Sequence, residues 1–170
     1  TCTHKGNVFR SFAYMTKIFN EVAEEYKESV DSELCMIDAL TLLMTQRPEN
    51  YDIILAENMH GDIISDMAAA YVGGMGMAPS GDIGYEHGLF QPSHGSAPTI
   101  AGKGLANPTG TILSAKMMLA WLGRRYDDAA LTQAAQLIDD AVYQTFLEGV
   151  RTSDVAGSAS TSMFGDTVVK

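Results

Sequence analysis

Between Val8 and Tyr26 the apolar side chains return every three or four positions, at Val8, Phe9, Phe12, Met15, Ile18, Phe19, Val22 and Tyr26, with Glu and Lys on the remaining face. That period predicts an amphipathic helix over about residues 7–29. Leu34-Cys35-Met36-Ile37 is a short apolar run and reads as a strand that ends at Asp38. Ala39 to Gln46 follows as a brief helix that stops before Pro48, since proline disfavours helical backbone in the residue ahead of it. Tyr51 to Ala56 carries Ile53-Ile54-Leu55 without interruption, the pattern of a strand buried on both faces under covering helices. Asp62 to Tyr71 is the next helix, and Gly61 lets the backbone turn sharply into it.

The pattern then changes. Gly73, Gly74, Gly76, Pro79, Gly81 and Gly84 crowd a span with little periodicity, which reads as a crossing between domains. A dinucleotide fingerprint is not spelled here: counted from Gly74, the last position of G-x-G-x-x-G is Pro79, and no βαβ unit frames it. Leu89-Phe90 is a short strand and His94-Gly95-Ser96-Ala97-Pro98 a loop of turn formers. Asn107 and Pro108 make an N-cap and first-turn pair that opens a helix to about Leu122, ended by Gly123. A further helix over about residues 128–148 buries Leu131, Ala134, Ala135, Ile138, Ala141, Val142, Thr145 and Phe146, and Gly149 stops it. A Ser/Gly/Ala turn region then leads to a short last helix around residues 160–169. No internal repeat or low-complexity tract appears.

Composition narrows the classes. In 170 residues, 46% of them apolar, the chain can pack a sizeable core without staples. Its net charge of −10 argues against non-specific nucleic-acid binding and anionic membrane surfaces, and tolerates a metal cofactor. Cys2 and Cys35 show no CxxC spacing and fit reduced thiols in a cytosol-like compartment. No apolar run approaches the ~20 residues of a membrane span, and no leader pattern stands at the start. The chain opens Thr1-Cys2-Thr3-His4-Lys5, without methionine and as if a strand were already under way, so an upstream portion is expected.

The candidate chemistry sits in Glu57-Asn58-Met59-His60-Gly61-Asp62-Ile63-Ile64-Ser65-Asp66. On a helix, Asp62 and Asp66 are neighbours on one face, and like charges there destabilise by a few tenths of a kcal/mol. A bound divalent ion removes the conflict, and oxygen-only ligation favours Mg²⁺ or Mn²⁺ over zinc. The plainer alternative is that Asp62 merely favours a helix N-terminus and Asp66 faces water.

With these segments placed, Asn58 to Asp66 followed by Gly74-Met75-Gly76-Met77 resembles the signature of the isocitrate and isopropylmalate dehydrogenase family. His94-Gly95-Ser96-Ala97-Pro98, Ile100-Ala101-Gly102-Lys103-Gly104 and Ala106-Asn107-Pro108 are similar to that family's cofactor loop, and His4-Lys5-Gly6-Asn7 to the segment with its catalytic lysine. The likeness implies the family's α/β fold, with helices packed on a mixed sheet in a fragment of a two-domain subunit. Residues 1–71 would belong to the small dimer-forming domain and 72–170 to the large cofactor-binding domain.

The resemblance further implies a β-decarboxylating dehydrogenase that oxidises a small 2-hydroxy acid with a nicotinamide cofactor and releases CO₂. Asp38, Asp62 and Asp66 would hold the divalent ion, which assists ionisation of the substrate hydroxyl and polarises the new ketone. Lys5 carries over as general base or proton relay, a role that suits a lysine when burial or a nearby cation favours its neutral form. In the family the residues matching Lys5 and Asp38 come from the second subunit, so a homodimer with shared active sites is implied. His94, Gly95, Ser96, Ala97, Thr99, Ile100 and Asn107 would surround the adenosine half of the cofactor, an apolar side chain covering the adenine and an amide reading its edge.

Three positions depart from the pattern. Thr99 stands where NAD enzymes of the family usually place an acid and bacterial NADP enzymes a lysine; with Lys103 the one nearby cation, NAD is favoured over NADP. Gln91 replaces the usual glutamate, and His60 stands where phenylalanine, tyrosine or asparagine is commoner. The family's substrate-gripping arginines and tyrosine acid have no counterpart here, so 3-isopropylmalate, ranked first, is not separated from isocitrate, homoisocitrate, tartrate or malate. The expected protein is a cytoplasmic, soluble enzyme. A non-catalytic fold fragment or interaction module is the alternative from another class.

Overall fold

The computed structural model describes residues 1–170, which form two compact units, Thr1–Ala68 and Ala69–Lys170. In the first, three short parallel strands form a sheet in the order β2-β1-β3, where β1 is Cys2–His4, β2 is Leu34–Met36 and β3 is Leu55–Ala56. The central strand is buried at all three positions. Its partners are aligned so that Cys2 faces both Leu34 and Leu55, and His4 faces Met36. Helix α1 (Arg10–Tyr26) joins β1 to β2, α2 (Ile37–Gln46) and a 3₁₀ turn at Pro48–Asn50 join β2 to β3, and α3 (Asn58–Tyr71) follows β3. Parallel pairing needs such crossovers, which is why helices alternate with strands here.

The core of this unit is Leu40 and Met44 of α2 against Ile64 of α3, packed round by residues such as Ile37, Tyr51, Ile54 and Met67. Full burial of a leucine such as Leu40 is worth about 1.5–3 kcal/mol. The stripe on α1 behaves differently. Periodicity located the helix, yet none of its residues is fully buried. Tyr14, Ile18, Phe19, Val22 and Tyr26 instead line an open apolar groove of about 550 Å³ with Leu55. The expected strand over Tyr51–Ala56 shrinks to Leu55–Ala56, and Ile53 is 77% exposed. A continuous apolar run predicts a two-sided burial only where other elements supply both covers, and this chain supplies one.

In the second unit, β4 (Pro79–Ile83), in the glycine-rich span where no strand is expected, forms an antiparallel hairpin with β5 (Gly88–Pro92), which contains the expected strand at Leu89-Phe90. Its prolines sit at the strand ends, where a missing N–H costs no ladder bond. Helix α4 (Thr109–Tyr126) lies against the hairpin and against α5 (Ala129–Leu147), which packs on α6 (Thr161–Val168). Phe164 is fully buried, its ring 5.2 Å from that of Phe146. The stripe expected on α5 is buried or half-buried at every position. No helix is long and apolar enough to cross a membrane.

Gly123 does not end α4. The helix runs on to Tyr126 and stops at Asp127, which adopts a left-handed conformation and donates its N–H to the Gly123 carbonyl. Gly123 is instead where α5 begins close by: a Cβ there would stand 2.5 Å from Thr132 Oγ1 and 3.0 Å from Thr132 N. Gly123→Ala is therefore expected to destabilise the protein by about 1–3 kcal/mol, the usual size of overpacking. A thermal melt reads this directly, and an unchanged Tm would show that α5 can move aside.

Candidate active site

Three chain segments that matter leave the sheet at its carboxyl-terminal edge. Lys5 follows β1, Asp38 lies two residues past β2, and Glu57 follows β3. Parallel strands deliver their following residues to one edge, which is where open α/β sheets bind ligands. The pairing of His4 with Met36 sets Lys5 and Asp38 within reach, and Lys5 Nζ lies 2.6 Å from Asp38 Oδ1. Lys5 is 26% exposed and Asp38 66%. Asp38 was expected at a strand end; it occupies the first turn of α2, since Ile37 already has helical backbone. The Lys5 hydrogen bond, aided by backbone N–H groups of that turn, holds the Asp38 carboxyl below the ordinary carboxylate range. With its folded value lowered, the stabilisation from this pair is present at neutral pH and lost as pH falls through that value.

Asp62 and Asp66 project from α3 and are exposed. The helix starts earlier than its apolar pattern indicated. Glu57 caps it, its two carboxylate oxygens accepting from Met59 N at 2.8 Å and His60 N at 2.9 Å, and its carbonyl accepting from Gly61 N. Those backbone bonds depress the Glu57 carboxyl. Gly61 is thus inside α3 with no unusual backbone, and Asp62 sits in the second turn. His60 is buried against Phe12, ring centroids 5.3 Å apart, so its departure from the family pattern concerns packing. Its Nδ1 lies 2.7 Å from Glu57 Oε1 but out of line for a hydrogen bond.

The donor set suits a hard cation. Asp62 and Asp66 offer only oxygen, and neither is spent on a neighbouring cation, the ion pairs of the chain lying elsewhere. Still, no three His, Cys, Asp or Glu side chains converge within one chain to hold a metal, so Asp38 does not join Asp62 and Asp66. Two carboxylates fit an ion that takes its remaining ligands from substrate, water or a second subunit.

In the second unit, the proposed cofactor loop and the start of α4 share one brace. Ala78 O accepts from Ser93 N, and Gly76 O accepts from Gly110 N at 2.8 Å. A Cβ on Gly110 would stand 3.1 Å from both of those carbonyl oxygens, so the close approach needs glycine. His94 Nδ1 lies 2.9 Å from Gly95 O. A carbonyl only accepts, so Nδ1 carries a proton in this contact. Gly95, Ser96, Ala97 and Thr99 are exposed and Ile100 half-buried. Ala97 has φ +44°, a left-handed conformation that costs a non-glycine residue about 1–2 kcal/mol, and its carbonyl closes the Pro98–Ile100 turn. Strain of this kind collects at ligand loops.

Asn107 is buried and its carboxamide is used up: Oδ1 accepts from Thr109 N at 3.0 Å and Nδ2 donates to Asp154 Oδ2 at 3.0 Å. The amide expected to read an adenine edge is thus hydrogen-bonded within the protein. Asp154, also bound by Thr152 Oγ1 at 2.6 Å, was not picked out from the sequence. Nothing in the local pattern joins residues 47 positions apart.

The chain matches the model of the isocitrate/isopropylmalate dehydrogenase family over residues 1–168. It is 44% identical to the 3-isopropylmalate/3-methylmalate dehydrogenase of Methanocaldococcus jannaschii, an alignment covering 100% of this chain and 49% of that protein. It is 42% identical to the isocitrate/homoisocitrate dehydrogenase of Thermus thermophilus, over 98% of this chain and 48% of the relative. The crystal structure of isocitrate dehydrogenase from Methylococcus capsulatus superposes with a TM-score of 0.90 at 33% identity, covering 99% of this chain and 48% of that one. The chain belongs to the isocitrate/isopropylmalate dehydrogenase family. It spans about half the length of the curated relatives it matches.

Proposed function

We propose that the complete protein is an NAD(P)-dependent β-decarboxylating dehydrogenase of a small 2-hydroxy acid, with 3-isopropylmalate the favoured substrate. The observation that carries this reading is the Lys5–Asp38 pair at the sheet's carboxyl edge, on a chain whose Asp62 and Asp66 are free of other cations. Lys5 serves the substrate hydroxyl as general base or proton relay, accepting the proton only in its neutral form, after its ammonium has given one up, and Asp38 holds the lysine head group at a fixed place. Mg²⁺ or Mn²⁺ would be held by Asp62 and Asp66 of one subunit with Asp38 of the second, and when bound supplies Lewis acidity toward the substrate oxygens. Exposed Leu42, Leu43, Met59 and Ile63 on α2 and α3 support a homodimer.

On this reading the first compact unit is part of the small dimer-forming domain and the second part of the large cofactor-binding domain. The loop His94–Ile100 receives the adenosine half of the cofactor. Free Cys2 and Cys35 fit a cytoplasmic enzyme.

Thr99 sets cofactor choice in this proposal. It is exposed in the turn Pro98–Ile100 and offers at most one neutral hydrogen bond to a ribose. An acid there would make charge-assisted bonds of roughly twice the strength. NAD binding should thus be about 1–2 kcal/mol weaker than in an acid-bearing relative, with little repulsion of a 2′-phosphate. Thr99→Asp is expected to raise the NAD/NADP ratio of kcat/KM, and an unchanged ratio would show that Thr99 does not face the ribose.

The reaction itself is tested by assaying the complete protein against 3-isopropylmalate, isocitrate, homoisocitrate, tartrate and malate, with each cofactor, with Mg²⁺ and with chelator. Metal-dependent NAD(P)H formation with CO₂ release on one of these acids is expected. The 170-residue chain alone is expected to be inactive. Absence of turnover by the complete protein on all five would favour a non-catalytic role for this module.

A further inference from the structure

We propose that His4 is a positioning residue for Lys5: its buried imidazole bridges the lysine's own main chain and anchors it to α1, in the neutral form that carries the proton on Nε2. The inference rests on the reading of Lys5 as the proton-handling group.

His4 ends the central strand and is 2% exposed, so it cannot reach a substrate. Its Nδ1 lies 2.9 Å from Gly6 N, and the ring therefore closes over the main chain of Lys5. Its Nε2 lies 2.7 Å from Thr16 Oγ1 on α1. The two neighbours select the tautomer. Gly6 N–H can only donate, so Nδ1 accepts. The Thr16 hydroxyl gives its one hydrogen to Phe12 O at 2.9 Å, so it accepts from Nε2–H. Phe12 stacks on the ring, centroids 5.9 Å apart and planes 11° from parallel. Gly6 leaves room for this: a Cβ there would stand 2.6 Å from His4 Cε1.

The bridge matters because Lys5 lies just beyond the last paired residue of β1. Beyond the His4 bond to Gly6 N, the backbone there makes turn bonds from Val8 N and Phe9 N to the Lys5 carbonyl. A lysine side chain has many rotamers, and aiming its head group at Asp38 requires that the backbone beneath it stand still. Misplacement of a reacting group by about 1 Å can cost about 100-fold in rate.

The test is a set of variants in the complete enzyme. His4→Ala removes both bonds and should lower kcat by about 10- to 100-fold while leaving the cofactor KM in place. His4→Asn keeps an acceptor near the Nδ1 position and should recover part of the loss. In a Lys5→Met background, His4→Ala should cost nothing further, because there is no lysine left to aim. Long-range ¹⁵N–¹H correlation spectra of wild type should show one neutral His4 tautomer, protonated on Nε2. If His4→Ala does not fold, Thr16→Val, which removes the acceptor and spares the ring, should give the same non-additive loss. An equal loss in the Lys5→Met background, unchanged kcat per folded enzyme with a lowered Tm, or an Nδ1–H tautomer would each overturn the proposal. Lys5→Met with normal kcat would overturn both it and the assignment of Lys5.

Discussion

Lys5→Met is expected to lower kcat of the complete enzyme by about 100-fold or more, a typical size for lost acid–base catalysis, with cofactor affinity nearly intact. Methionine keeps the length and flexibility of the side chain, so the change removes the ammonium and little else. The His4–Gly6–Thr16 network holds the backbone without using the Lys5 side chain, which argues that the variant stays folded. Asp38 loses its ion-pair partner, but it is two-thirds exposed and water replaces the lysine cheaply. Steady-state kinetics separate the outcomes. A fall in kcat with unchanged cofactor KM is expected, whereas an unchanged kcat would make Lys5 a solvated structural residue.

Asp62→Asn and Asp66→Asn should act on the metal, and here the two signs of the effect are diagnostic. Without metal, each variant removes one of two like charges a helical turn apart on α3, and should be as stable as wild type or better by a few tenths of a kcal/mol. With Mg²⁺ or Mn²⁺, wild type gains stability as RT ln(1 + c/Kd), where c is the free metal concentration, and each variant should lose most of that gain. Metal affinity should fall by about 10-fold or more, the least expected when even a supporting group of a metal site is lost, and turnover with it. Thermal melts across a metal titration, paired with activity, check both halves. A variant that keeps normal activity in chelator would refute the site. A variant destabilised in the absence of metal would show that the carboxylate serves the fold instead.

Much of the site was legible because the motifs are contiguous. Asn58 to Asp66 and His94 to Asn107 are read along one stretch of backbone, and four-residue spacing alone makes Asp62 and Asp66 neighbours once the segment is helical. The same locality explains why the α5 stripe was read correctly: a 3.6-residue period is a property of adjacent turns, and α4 and α6 cover it in the same unit.

Other features depend on partners distant in sequence. The α1 stripe has the period of a covered helix, yet lines an open groove, because burial needs a second surface that periodicity cannot name. Gly123 has the composition of a helix stop but serves the close approach of α5, a fact of packing between helices. Asn107 carries an amide suited to an adenine edge, and only the arrival of Asp154 shows that amide to be engaged.

By itself the amino-acid sequence determined where the main helices lie, the family and which residues are candidates for acid–base and metal chemistry, since local period and contiguous motif point to each. Tertiary structure alone decided that Lys5 meets Asp38, that His4 is a neutral bridge over Lys5, and that Asp38 stands apart from Asp62 and Asp66 within one chain. The reason is physical: strand register and helix packing set those distances, and both arise from long-range pairing that no local stretch of sequence encodes.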